Sequence, residues 1–208
     1  MDTPRKKKKT VSRRAFLQTM GGGAVGAGVV SRVLGKELPA FQTGPGPMEV
    51  VASKTISLTV NGRKLSVHVE ANETLLEVLR EKLLLTGAKR TCNRGECGGC
   101  TVLLGGKPVY ACHTLALQVD GAEVLTVEGL ADADKLHPVQ QAFIDKDGYQ
   151  CGFCAPGFIM ASVGLLKRNP NPTFDEIRAG VSGNLCRCGN YQKIYAAVGA
   201  AAEAMRRG

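Results

Sequence analysis

Thr91-Cys92-Asn93-Arg94-Gly95-Glu96-Cys97-Gly98-Gly99-Cys100 is the stretch on which the reading of this chain turns. With Cys112 beyond it, the spacing is C-x4-C-x2-C-x11-C. A second set follows as Cys151-Gly152-Phe153-Cys154 and Cys186-Arg187-Cys188, spaced C-x2-C-x31-C-x-C. The chain has 8 cysteines, so the two sets of four leave none over. Thiolates at such spacings suit chelation better than cross-linking of distant segments. Three readings stay open on spacing alone: a pair of 2Fe–2S clusters, structural zinc, or disulfides.

Two features favour clusters at the first set. C-x4-C-x2-C is the plant-type ferredoxin spacing, whereas structural zinc more often uses paired C-x2-4-C units. The loop is also rich in glycine, at Gly95, Gly98 and Gly99. A cluster held by four thiolates is anionic, and glycine lets the backbone wrap it closely with N–H groups turned inward.

Working outward, Ile56, Leu58 and Val60 alternate with polar residues, as do Leu65, Val67 and Val69, with Asn61-Gly62 between them. That pattern predicts a β-hairpin, with His68 facing solvent. Leu75, Leu76, Leu79 and Leu83 then share one helical stripe, Thr74 and Glu77 form a capping box, and Gly87 is placed to stop the helix. A short hairpin, Thr101–Leu104 and Lys107–Cys112, carries the fourth thiol on its far strand. From residue 129 the alternation gives way to helices. His137-Pro138 opens one that reaches Lys146, and Cys151 and Cys154 stand at the head of a second that runs to Arg168. Thr173–Val181 is a third, with Thr173 and Glu176 as its capping box. Asn190 caps a fourth with an alanine-rich face. The fold class is α+β: a small sheet domain over 54–128, then an all-α four-helix bundle over 129–208.

The net charge of +9 is concentrated at the start of the chain. Residues 1–40 hold nine Lys/Arg against Asp2 and Glu37, leaving only +2 for the rest, so no nucleic-acid-binding face is expected. Ser12-Arg13-Arg14-Ala15-Phe16-Leu17, behind Arg5-Lys6-Lys7-Lys8-Lys9 and ahead of a glycine-rich apolar run, resembles a twin-arginine export signal. Residues 1–40 are read as that signal, with cleavage after Ala40, and 41–53 as a linker. The expected location is the periplasm, reached as a folded protein. No apolar run is long enough to span a bilayer, so no stable membrane insertion is expected. His113 is read as a non-ligand, Asp132 and Asp134 as a solvated loop, and Arg187 as a solvated or interface-packing residue, the alternative being that its charge tunes the second cluster's potential.

Taken together, Thr91-Cys92-x4-Cys97-Gly98-Gly99-Cys100-Thr101-Val102, Tyr110-x-Cys112, Gln150-Cys151-Gly152-Phe153-Cys154-Ala155-Pro156-Gly157 and Gly183-Asn184-Leu185-Cys186-Arg187-Cys188-Gly189-Asn190-Tyr191 resemble the iron–sulfur subunit of the xanthine dehydrogenase/aldehyde oxidase family of molybdenum hydroxylases. The likeness spans about residues 54–205. With the export signal, it points toward the small subunits of periplasmic aldehyde oxidoreductases.

The resemblance implies a β-grasp ferredoxin-like first domain and a helical second domain, each holding one 2Fe–2S cluster. Cys92, Cys97, Cys100 and Cys112 would ligate the cluster facing an FAD-binding medium subunit. Cys151, Cys154, Cys186 and Cys188 would ligate the one facing the molybdopterin, as its cytosine dinucleotide, of a large catalytic subunit. Gln150 matches a residue that hydrogen-bonds the pterin, and Cys188 one that approaches it. The implied function is electron relay from molybdenum to FAD during oxidation of aldehydes to acids, with no substrate site on this chain. The alternatives are a related hydroxylase acting on N-heterocycles and a free-standing double-cluster ferredoxin.

Overall fold

A computed structural model describes residues 52–132 and 135–207, so the export signal, Asp134 and nearly all of the linker lie outside the described residues. The first half is a five-stranded mixed sheet in the order β2-β1-β5-β3-β4. β1 (Ser53–Val60) and β2 (Arg63–Glu70) pair antiparallel along their whole length. Their turn places Asn61 at φ 50° and Gly62 at φ 78°, the two positive angles that a twist-matched two-residue hairpin loop needs. Ile56, Leu58, Val60, Val67 and Val69 are buried as the alternation predicts, and His68 is exposed.

The helix that packs on this sheet is shorter and less regular than its leucine stripe suggests. α1 (Leu75–Glu77) has the predicted capping box and passes straight into a π-helical stretch, Val78–Lys82. Leu75, Leu76 and Leu79 are fully buried. The expected stop at Gly87 is corrected: the chain reverses at Leu84, at φ 57°. Arg80 braces the following loop by donating to the carbonyls of Thr86 and Ala88 at 2.9 and 2.8 Å. Gly87 is needed instead for close packing, since a Cβ there would overlap the Val127 and Glu128 side chains.

β3 (Thr101–Leu104) and β4 (Lys107–Tyr110) form the second hairpin. Cys112 lies just past β4, in the 3-10 turn Ala111–His113, not on the strand. β5 (Glu123–Leu125) escaped the sequence pattern because three residues carry too little periodicity; it runs parallel to β1 and antiparallel to β3.

The four expected helices follow: α2 (Pro138–Asp145), α3 (Ala155–Arg168), α4 (Phe174–Gly180) and α5 (Tyr191–Arg207). The ring Nδ1 of His137 caps α2 by accepting from the Val139 N–H at 3.2 Å. Thr173 and Glu176 make their capping box on α4. Asn190, ahead of α5, is buried; its amide donates to the Asp147 carbonyl at 2.8 Å, and its own carbonyl accepts from the Ile194 N–H at 3.1 Å. Phe143, Phe158, Met160, Leu166, Ile194 and Val198 fill the bundle, and Ala197, Ala201 and Ala202 let α5 pack closely.

The sheet and the bundle share a wall. β3 alternates, so Val102 faces the sheet core while Leu103 belongs to the helical core. α3 lies against this outer side so closely that a Cβ on Gly164 would come within 2.9 Å of Pro108 and 3.1 Å of Leu103.

Candidate metal centres

The first thiol quartet is made by the loop between Thr91 and Cys100 and by the turn after β4. Cys100 and Cys112 are buried; Cys92 and Cys97 are half-buried. The loop aims backbone N–H groups at sulfur. Gly95 donates to the Cys112 Sγ at 3.3 Å. Burial pushes the Cys92 thiol up, but the N–H groups of Arg94 and Glu96, then the Cys97 thiol and N–H, outweigh it and bring Cys92 down to about 6. Cys100 goes the other way. Burial, opposed by the Cys112 N–H and reinforced by the Cys112 and Cys97 sulfurs, pushes it up to about 12.

The second quartet repeats this asymmetry with greater exposure. Cys154 stands at the N-cap of α3, and Cys186 is buried; Cys151 and Cys188 are exposed. Burial and the neighbouring Cys186, then Cys151, push the Cys154 thiol up to about 12. Cys151 is drawn down, first by the Phe153 N–H and then by the Cys188 thiol. The Cys186 N–H donates to the Tyr191 hydroxyl oxygen at 2.9 Å.

All eight cysteines are free, and thiols within each set act on one another: Cys97 on Cys92, Cys112 and Cys97 on Cys100, Cys188 on Cys151, and Cys186 and Cys151 on Cys154. Among the described residues, no group of three or more His, Cys, Asp or Glu side chains is arranged to hold a metal ion. Pushed up to about 12, Cys100 and Cys154 are protonated thiols at neutral pH, and a bound metal would have to displace those protons.

The two sites are bonded to each other. The Leu185 N–H, next to Cys186, donates to the Cys97 carbonyl at 2.9 Å. The Tyr110 hydroxyl donates to the Gly183 carbonyl at 2.7 Å. Burial, then the charge of Cys100 and its neighbouring thiols, hold the Tyr110 hydroxyl above its usual range, so it remains a donor. The buried Asn184 amide donates to the Gly98 carbonyl at 2.8 Å and to the Thr101 hydroxyl at 3.2 Å. Gly157 of α3 packs on that same carbonyl with no room for a Cβ. Sequence reading gave these four residues no role, although three of them flank the cysteines. The burial of Asn184, which marks it out, is visible only in the structure.

Gln150 is exposed beside the exposed Cys151. Arg187 is exposed, and so is His113, whose ring packs over Gly95. Asp132 and Lys135 exchange backbone hydrogen bonds at 3.0 and 2.9 Å. Around the second quartet, Phe153 is 49% and Leu185 55% exposed, and Tyr149 is also open to solvent.

Comparison with known proteins agrees with this geometry. Residues 58–126 match the model of a 2Fe-2S iron-sulfur cluster binding domain, and residues 126–199 that of a [2Fe-2S] binding domain. The chain is 41% identical over 205 residues to the aldehyde oxidoreductase iron-sulfur-binding subunit of Escherichia coli strain K12, covering 91% of this chain and 87% of that one. It is 47% identical over 149 residues to the nicotinate dehydrogenase small FeS subunit of Eubacterium barkeri, covering 72% and 95%. Among solved structures, quinoline 2-oxidoreductase from Pseudomonas putida 86 superposes with a TM-score of 0.72 at 43% identity, covering 76% of this chain and 98% of that one. The aldehyde oxidoreductase of Desulfovibrio gigas gives 0.71 at 41% identity, over 74% of this chain and 17% of that one.

Proposed function

We propose, for a chain that belongs to the family of 2Fe–2S-binding electron-transfer subunits of molybdenum hydroxylases, that it relays electrons from a molybdopterin-bearing large subunit to an FAD-bearing medium subunit during aldehyde oxidation. Cys92, Cys97, Cys100 and Cys112 would hold one cluster, and Cys151, Cys154, Cys186 and Cys188 the other. Bound there, each cluster supplies a one-electron carrier. The chain's own part is to hold the thiolates, to turn N–H dipoles toward their negative charge, and to fix the two loops against each other.

The observation that carries this reading is the bond from the Leu185 N–H to the Cys97 carbonyl. It joins the backbone beside a thiol of one quartet to the backbone of a thiol of the other, inside one folded unit. The exposed Phe153, Leu185 and Tyr149 around the second quartet give it an apolar rim suited to a large partner. Gln150 and Cys188 stand on that open side, where Gln150 would hydrogen-bond the pterin and Cys188 would approach it.

The aldehyde assignment draws on the Escherichia coli relative. A match over 91% of the chain takes in part of residues 1–51, which lie ahead of both family models. The same extension, with Ser12-Arg13-Arg14 and its basic neighbours, supports export by the twin-arginine route to the periplasm.

The test is isolation of the tagged full chain from its host. It should elute with a molybdenum-containing and a flavin-containing polypeptide, carry about four iron and four acid-labile sulfide, and bleach when an aldehyde is added without oxygen. Elution alone with both clusters loaded would favour a diffusing ferredoxin. Bleaching by N-heterocycles and not by aldehydes would overturn the substrate class.

A further inference from the structure

The Gly98 carbonyl lies between Cys97 and Cys100, and three donors converge on its oxygen: the Thr101 N–H at 3.1 Å, the Thr101 hydroxyl at 2.7 Å and the Asn184 amide at 2.8 Å. A peptide carbonyl has two lone pairs, so this one is more than fully satisfied. Gly98 is also held at φ +70°, and a Cβ on it would collide with the Asn184 amide. Asn184 therefore fixes the orientation of a peptide in the loop of the first quartet. Yet it belongs by sequence to the second, two residues before Cys186.

We propose that Asn184 is a positioning residue for the first cluster: from the loop of the second quartet, its amide holds the Gly98 carbonyl and so sets the reduction potential of the cluster at Cys92, Cys97, Cys100 and Cys112. The inference rests on the two-cluster reading above. Its physical basis is the sign of the dipoles. Each N–H or O–H dipole aimed at that oxygen brings positive charge into the loop of a cluster that becomes more negative on reduction. Such donors favour the reduced state. Removing a donor lowers the potential of the cluster whose loop carries the carbonyl.

The experiment is a potentiometric titration of the full chain carrying both clusters, with each reduced cluster followed by its own EPR signal. In Asn184→Leu, the first cluster's ratio of oxidised to reduced form, at the wild-type midpoint, should rise about tenfold, a fall of about 59 mV for a one-electron couple. The second cluster, although Asn184 is its neighbour in sequence, should move clearly less. Thr101→Val strips a hydroxyl from the same carbonyl within the first half of the chain and should shift the first cluster in the same direction. Thr101→Ser, which keeps the hydroxyl, should restore it. A shift confined to the second cluster, equal shifts of both, or an unmoved first cluster in Thr101→Val would overturn the proposal. Wild-type chain that binds fewer than four iron and four sulfide would instead overturn the two-cluster reading on which it stands.

Discussion

The same substitution, glycine to alanine, should have opposite effects in two helices of the bundle. Gly157 lies in the first turn of α3, where an added Cβ would press on the Gly98 carbonyl oxygen and come within 3.1 Å of the Asn184 amide. The atom in the way is backbone, pinned by three hydrogen bonds, so the helix must move. Overpacking of this kind costs about 1–3 kcal/mol. The helical preference of alanine over glycine returns at most about 1 kcal/mol. Gly199, in α5, has only the Ile177 Cδ1 within reach, at 3.9 Å, so alanine there keeps the gain without the clash. For a folded unit of this size, 1 kcal/mol moves the melting temperature by roughly 2–4 °C. Gly157→Ala should therefore melt several degrees below wild type and Gly199→Ala a few degrees above. The assay is loss of visible absorbance and of far-UV circular dichroism in cluster-loaded chain under argon, scanned at one fixed rate because cluster loss makes unfolding irreversible. Gly157→Ala at or above the wild-type melting temperature would show that α3 does not bear on the Gly98 carbonyl as described.

Three further outcomes can be checked more quickly. Burial, and then the charge of Lys167, lower the His137 pKa below the usual 6.5, so the unfolded chain takes up the proton first. Stability should be fully present above about pH 6.5 and decline as pH falls toward the folded value; His137→Asn should flatten that slope in the melting-temperature profile. In metal-free chain at pH 7, Cys92, brought down to about 6, should react with iodoacetamide well before Cys100 and Cys154, which are pushed up to about 12. Peptide mapping that found the three labelled together would contradict the contrast in their surroundings. Thr74→Ala, by removing the hydroxyl that caps α1, should cost about 1 kcal/mol in chemical unfolding.

The parts legible from sequence were those governed by local rules. Asn61-Gly62 declared its hairpin because few residue pairs accept two positive φ angles. Thr74/Glu77 and Thr173/Glu176 declared helix starts because each box satisfies its own N–H groups within four residues. The cysteine motifs were legible because C-x4-C-x2-C, C-x2-C and C-x-C are short spacings within single loops. The misses were set by tertiary contact. Leu84 ends the π-helical stretch that follows α1 although Gly87 looks the better terminator; Arg80 braces the loop behind it, and Gly87 is occupied in packing against Val127. β5 is recognised only by its neighbours β1 and β3. The bonds that Asn184 and Tyr110 make between the quartets join residues 73 or more positions apart, and no window on the sequence brings those together.

This sharing of neighbours bears on what a domain boundary means here. The switch from alternation to helices near residue 128 divides the chain by pattern, and the two family models meet at Thr126. The packing does not divide there. Leu103 lies on the same strand as Val102 but belongs to the helical core, and Leu125 and Val127 pack against that core from the sheet side. A chain cut at 128 would expose those side chains, and it would also strip Asn184 from the Gly98 carbonyl and Leu185 from the Cys97 carbonyl. The first quartet's loop is therefore finished by residues that arrive nearly ninety positions later. The sheet half would be expected to hold iron less well alone than in the whole chain. A relay needs its two carriers at a fixed separation, and building the wall of one site out of the other is a direct way to fix it.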